Sequence, residues 1–241
     1  MRLSYIVMSG ALLLAGNSLV SAQTVNLPPS AEKTYATDEG FLTPLSRKDT
    51  VLLLVDQQVG LYSGVRDIPL RELKHNVVAL VRAAKAMDIP IVVTETMPDG
   101  MWGPIIPELQ NELEGVSVIQ RTKVNAWDDL KVRNAIEKTG RKQILIAGVS
   151  LEVCAAFPAL AAKRDGYDTR VVLDASGTFS NAKRTSGLSR LQGAGIPVVD
   201  YATAGIEWLG DNAAPAAGKL YTALDMPNAV LVGQMYQGQH H

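Results

Sequence analysis

The chain contains a single cysteine, Cys154, together with a carboxylate at Asp56 and basic side chains at Arg121 and Lys123 that can make it a nucleophile. Each lies at or just past the end of a short apolar run: VLLLV (51–55), the segment 116–121, and QILIAGV (143–149). A thiol becomes a useful nucleophile when a base or a cation activates it, and acyl transfer also needs N–H groups that hold an oxyanion. GVSLEVCAAFPAL (148–160) reads as strand, turn and helix, with Cys154 at or near the helix N-terminus. There the unpaired N–H groups and the dipole favour a thiolate, and a nearby cation lowers the thiol pKa further. This reading predicts a thiol that alkylates at pH 6 faster than an ordinary one, with the Val153 and Cys154 N–H groups as oxyanion hole. Elsewhere a lone cysteine is usually a small buried hydrophobe. Its context argues otherwise here.

The elements that must position these residues alternate along the chain. Strands are expected at 51–55, 91–95, about 116–121, 143–149, 169–174 and 197–201, from short apolar runs of the buried parallel kind. Helices are expected at 70–87, 128–138, 154–165 and 183–193, from apolar spacing, acidic starts, and Gly or Asp-Ile-Pro stops. This alternation predicts a doubly wound, Rossmann-like parallel sheet with helices on both faces. In such sheets ligands bind beyond the carboxyl ends of the strands, where strand order reverses. Asp56 and Cys154 then share one crevice. Gln57, Trp102, Asn125 and Trp127 lie in loops at that end and are candidate substrate-pocket residues.

Composition narrows the function classes. Of 241 residues, 47% are hydrophobic and 20% charged, which suits one globular domain with extensions. Lys plus Arg is 23 against 24 for Asp plus Glu, so nothing suggests nucleic acid as a partner. One cysteine and three histidines, two of them terminal, give little material for a metal centre. Residues 1–22 read as a cleavable signal peptide: Arg2, an apolar stretch from Tyr5 to Val20, and Val20-Ser21-Ala22 before the cut. The mature protein is then exported, periplasmic or secreted, with no membrane segment left. Residues 23–48 read as an N-terminal arm and 49–210 as the domain. Residues 211–241 read as a C-terminal tail in an oligomer contact.

LLLVDQQVGL (52–61), RTKVNAWDD (121–129), IAGVSLEVCAAFPAL (146–160) and VVLDASGTF (171–179) together resemble the isochorismatase-like cysteine hydrolase superfamily, in its YcaC-like branch. The resemblance implies a six-stranded sheet of order 3-2-1-4-5-6, an Asp–Lys–Cys type triad, and a cis peptide before the nucleophile turn, here Val149-Ser150. Asp56 and Cys154 match directly. The basic member does not: relatives place a Lys four residues before Ser-Ala-Phe, and Asn125-Ala126-Trp127 stands at that tripeptide. Four residues before Asn125 is Arg121, so spacing favours Arg121 and residue type favours Lys123. The metal-dependent nicotinamidases of the superfamily use Asp and His ligands, whereas the body here offers only His75, expected on a helix surface. The branch also implies a homo-oligomer larger than a dimer.

The resulting expectation is an exported hydrolase without metal or other cofactor. It would cleave a small amide or related C–N or acyl bond through a thioester on Cys154, with a small-molecule substrate. The competing readings are a thiol-based redox or small-ligand-binding protein using the same pocket, and an oligomer whose pocket is vestigial.

Overall fold

The computed structural model describes residues 43–239. The expected signal peptide and most of the N-terminal arm lie outside the described residues. The end of that arm is tied to the domain: Leu45 is buried and donates its N–H to Glu207 Oε2 (2.8 Å), and Ser46 N–H donates to Gln143 Oε1 (2.6 Å).

Six strands form one all-parallel sheet: β1 (Thr50–Val55), β2 (Ile91–Thr96), β3 (Val118–Arg121), β4 (Gln143–Gly148), β5 (Asp168–Val172) and β6 (Val198–Val199). Their order is β3-β2-β1-β4-β5-β6, as the sequence resemblance implied. β1 and β4 are the central neighbours, with Val55 opposite Gly148. The chain departs from them in opposite lateral directions, so a crevice opens past Val55 and Gly148.

Alternation along β1 serves two cores. Leu52 and Leu54 pack in the cluster that includes α2 (Leu70–Ala86), after the short α1 (Val59–Gly64). Val51, Leu53 and Val55 pack on the opposite face. There they meet α4 (Leu130–Lys138), α5 (Ala156–Arg164) and α6 (Asn181–Gly193), with the short α3 (Pro107–Gln110) preceding β3. Successive strand residues point to opposite faces, so a strand covered on both sides must be apolar throughout.

The C-terminal third departs from the sequence reading. β5 ends at Val172, and Leu173–Ala175 form a 3₁₀ turn in place of continued strand. β6 is two residues long, because Asp200 accepts from Thr203 N–H (2.8 Å) and starts α7 (Tyr201–Leu209). A further helix, α8 (Ala217–Leu224), joins the first core through the fully buried Leu220 and Leu224. A Cβ on Gly205 would approach Leu224 Cδ2 to 2.8 Å, so the bare Gly205 backbone lets α8 lie close. The expected tail is therefore divided. Its first half completes the domain, and α9 (Pro227–Gln239) carries no charged residue and exposes Val230, Leu231, Val232 and Met235. His75 is half-buried, its Nε2 3.1 Å from the Asp225 carbonyl oxygen between those two helices.

Candidate active site

Asp56 ends β1 in the left-handed region (φ 55), which bends the chain sharply at the strand's carboxyl end. Asp tolerates that region better than most residues. Its N–H still bonds Thr94 O (2.9 Å), so the residue stays anchored to β2 while its side chain turns into the crevice. Arg121, the last residue of β3, reaches across and donates from Nη2 to Asp56 Oδ2 (2.5 Å). The two side chains are 0% and 2% exposed. Arg121 Nη1 donates to the carbonyl oxygens of Lys123 and Val124 (3.2 Å for the latter), so the loop after β3 wraps the guanidinium.

That geometry decides between the two basic candidates. Arg121 is the cation of the site. Lys123 meets Arg121 through its backbone oxygen, and its side chain is exposed.

Cys154 is buried in a π-turn, Leu151–Ala155, that precedes α5. The Val149–Ser150 peptide just before it is cis. The turn closes on one acceptor: the Ser150 carbonyl takes N–H bonds from Val153 (3.3 Å), Cys154 (2.7 Å) and Ala155 (3.2 Å). The Val153 and Cys154 donors expected to form an oxyanion hole are thus committed within the turn. Gly148 stands beneath it, where a Cβ would meet the Cys154 carbonyl carbon at 2.9 Å.

The electrostatics correct the expected thiolate. Burial pushes the Cys154 thiol well above its usual range, and the neighbouring Asp56 charge pushes it the same way. The Ser150 backbone bond and the Arg121 charge act in the opposite direction and are outweighed. Burial also raises Asp56 above its ordinary 3.8, against the lowering effects of Arg121 and of the thiol. Asp56 Oδ2 is held by Arg121, whereas Oδ1 is buried without a nitrogen or hydroxyl donor among the described residues. The arrangement is a thiol whose ionisation is disfavoured beside a carboxyl group with one unclaimed oxygen, a geometry suited to a nucleophile and its base.

The other candidate residues separate. Asn125 is half-buried and caps the turn after β3: its Oδ1 accepts from Trp127 N–H (3.1 Å) and its Nδ2 donates to Asp128 (3.1 Å). With Lys123 it lines a cavity of about 530 Å³ that also includes Phe157, one turn beyond Cys154. Trp102 is half-buried against the first core, and its carbonyl accepts from Gly60 N–H (2.8 Å). Gln57 and Trp127 are bracing residues. Tyr62 donates to Gln57 Oε1 (2.6 Å), and Gln57 Nε2 donates to Ala175 O (3.3 Å), which uses both ends of the amide. Trp127 is buried in the second core, packed edge-on to Tyr167 with its Nε1 donating to Asp165 (2.8 Å). Asp174 accepts from Tyr201 N–H (2.9 Å) and braces the start of α7, and burial raises its carboxyl to about 6.

Residues 50–203 match the isochorismatase domain. The chain belongs to the isochorismatase family. Within it the chain falls in the YcaC-like branch. The "probable hydrolase YcaC" of Escherichia coli (strain K12) is 44% identical over 158 residues, covering 65% of this chain and 76% of that protein. The YcaC structure from Pseudomonas aeruginosa, solved with hexane-2,5-diol and covalent acrylamide, superposes with a TM-score of 0.74 at 36% identity. It covers 80% of this chain and 96% of the other. The Escherichia coli YcaC structure, described as an octameric hydrolase of unknown specificity, gives 0.75 at 37% identity, covering 81% and 97%. By this membership the chain is an isochorismatase-like hydrolase.

Two outcomes follow from the charge arrangement. Alkylation of Cys154 should depend on Asp56 accepting the proton, so its rate falls as pH drops through the raised Asp56 pKa and is level above it until the thiol itself ionises. Asp56→Asn should remove that level region and leave a rate that climbs only at alkaline pH. A wild-type profile following ordinary thiol titration near pH 8.5 would remove the base from the site. Arg121→Gln should slow alkylation and turnover on the order of 10²-fold, the scale of one preorganised electrostatic contact. Lys123→Gln should change either by less than about threefold, as an exposed charge does. Steady-state rates of the two variants check the assignment.

Proposed function

We propose that the chain is an exported, metal-independent cysteine hydrolase of a small amide or a related C–N or acyl bond. The observation that carries this reading is the unclaimed Oδ1 of Asp56 beside the Cys154 thiol, with Arg121 fixed on the other carboxylate oxygen. Asp56 takes the thiol proton as sulfur attacks the substrate carbonyl carbon, and the carbonyl electron pair moves to oxygen. Arg121, whose charge acts on both Asp56 and Cys154, supplies the positive field in which that oxyanion forms. The C–N bond then breaks while Asp56 returns its proton to the leaving nitrogen, leaving a thioester. Water attacks the thioester and gives a proton to Asp56. The C–S bond breaks, and the thiolate recovers the proton.

The ligand supply supports metal independence: among the described residues no group of three or more His, Cys, Asp or Glu is placed to hold an ion. Export is supported by the charged start, apolar stretch and Val20-Ser21-Ala22 of the first 22 residues. Intact-mass spectrometry of the protein expressed with its own N-terminus tests both readings together. Incubation with small amides in excess chelator should give a transient acyl adduct on Cys154, absent in Cys154→Ser, on a chain lacking residues 1–22. Oxidation of sulfur with no acylation across the panel would transfer the site to thiol redox chemistry. A retained N-terminus would end the export reading.

The chain is also proposed to assemble as a homo-oligomer larger than a dimer. Support comes from the octameric description of the Escherichia coli neighbour and from the uncharged α9, whose exposed apolar side chains are costly in water at about 25 cal/mol per Å². Deleting residues 227–241 should release smaller species in light scattering with circular dichroism unchanged. An intact protein that is monomeric at micromolar concentration would refute the assembly.

A further inference from the structure

The segment after β5 does more than brace its own turn. Thr178 is fully buried, and its three polar groups go to three different places. The hydroxyl donates to Glu152 Oε2 (2.6 Å), inside the nucleophile turn. The N–H donates to Asp67 Oδ1 (2.6 Å), and the carbonyl accepts from Arg66 N–H (2.8 Å). Asp67 is itself buried and paired with Arg184 on α6 (2.7 Å). Two neighbours reinforce the grip on the turn: Leu151 N–H donates to Gly177 O (3.1 Å), and Gly148 N–H donates to Ser176 Oγ (3.1 Å). Gly187 of α6 lies behind, where a Cβ would meet Glu152 Cα at 3.1 Å.

The π-turn closes on its own Ser150 carbonyl, and the chain just before it is tied to β1 where Val149 N–H donates to Val55 O (3.3 Å). Cys154 lies five residues beyond that bond, and between them the turn is gripped from outside at Leu151 and Glu152 by the segment after β5, so these contacts help set the sulfur against the carboxylate. We infer that Thr178 and Glu152 are positioning residues for Cys154, their hydrogen bond setting the thiol against Asp56. Glu152 touches neither base nor sulfur in this role. Its Oε1 lies 3.6 Å from Lys183 Nζ near the surface, and its Oε2 faces inward to the threonine. The bond joins a buried hydroxyl to a carboxylate, the stronger kind of hydrogen bond. Displacements of about 1 Å at a reacting centre can cost on the order of 10²-fold.

The inference rests on the base–thiol reading of Asp56 and Cys154, and alkylation by acrylamide tests it without knowledge of the substrate. Thr178→Val keeps the shape and removes the donor. Its alkylation rate at pH 7 should fall roughly tenfold to 10²-fold, with the level region replaced by a rise toward alkaline pH. Thr178→Ser should recover the wild-type profile. Glu152→Ala breaks the same bond from the other side, so it should give the same profile, and the double variant should be little worse than either single one. That pair keeps the test available if Thr178→Val does not fold. A lowered melting temperature with an unchanged pH profile in either folded variant overturns the inference, as does a loss equal at every pH. A wild-type protein without the level region would instead remove the base–thiol reading itself.

Discussion

The ion pair between Arg121 and Asp56 is the constraint around which the rest of this site is arranged. Both groups are withdrawn from water at the carboxyl end of the sheet, near a second buried carboxyl group at Glu95. Such a pair costs several kcal/mol per ion in desolvation, and its mutual attraction does not guarantee a net gain in stability. The surroundings show how the cost is contained on one side. Two loop carbonyls after β3 take Nη1, which accounts for the close path of residues 122–124 around the guanidinium, while Nε is buried without a partner among the described residues. On the Asp56 side the containment is deliberately incomplete. Oδ1 has no hydrogen-bond partner among the described residues, and burial lifts the carboxyl above its ordinary range in spite of the arginine.

Burial is the main reason both acidic groups are raised, with the Asp56 charge adding to the effect on the thiol. A carboxylate and a thiolate at this separation would place two negative charges against one guanidinium in a medium where charge is weakly screened. Ionising the thiol beside Asp56 is therefore disfavoured. A helix-start thiolate would have been reactive toward any electrophile across a wide pH range. A thiol that ionises only through Asp56 is reactive when geometry brings the base, the sulfur and a carbonyl carbon together. Selectivity is then a property of positioning.

Much of this was legible in the sequence, because it depends on local patterns. Short β-type apolar runs alternating with helical spacing led to the sheet, and polar residues at the strand ends led to Asp56, Arg121 and Cys154. What was not legible depends on which groups face each other across long separations. The type of Lys123 matched the family, yet the strand delivers Arg121 to Asp56 and turns Lys123 outward, leaving its carbonyl as the contact. Trp127 looked available because it follows a strand, and only its indole bond to Asp165, 38 residues on, shows it to be core. The thiolate expectation counted the helix and the cation. It omitted burial and the adjacent carboxylate, the two largest effects. Thr178 lies within VVLDASGTF, but nothing in that segment points to its partners, which lie 26 and 111 residues away.

The same distinction between shape and placement runs through the architecture. Strand pairing fixes β1 against β4 with Val55 opposite Gly148, so Asp56 and the start of the nucleophile turn leave the sheet side by side. From there each is turned by its own local device: a left-handed φ at Asp56, and a carbonyl at Ser150 that gathers three N–H groups. Neither device refers to the other. Agreement between them comes from β3 and from the loop after β5, which reach the site from opposite ends of the sheet: Arg121 holds the carboxylate, and Thr178 holds the turn. The catalytic pair is local to the central strands. Its precision is supplied from the flanks, and a doubly wound sheet makes that possible by bringing strand ends distant in sequence to a single edge.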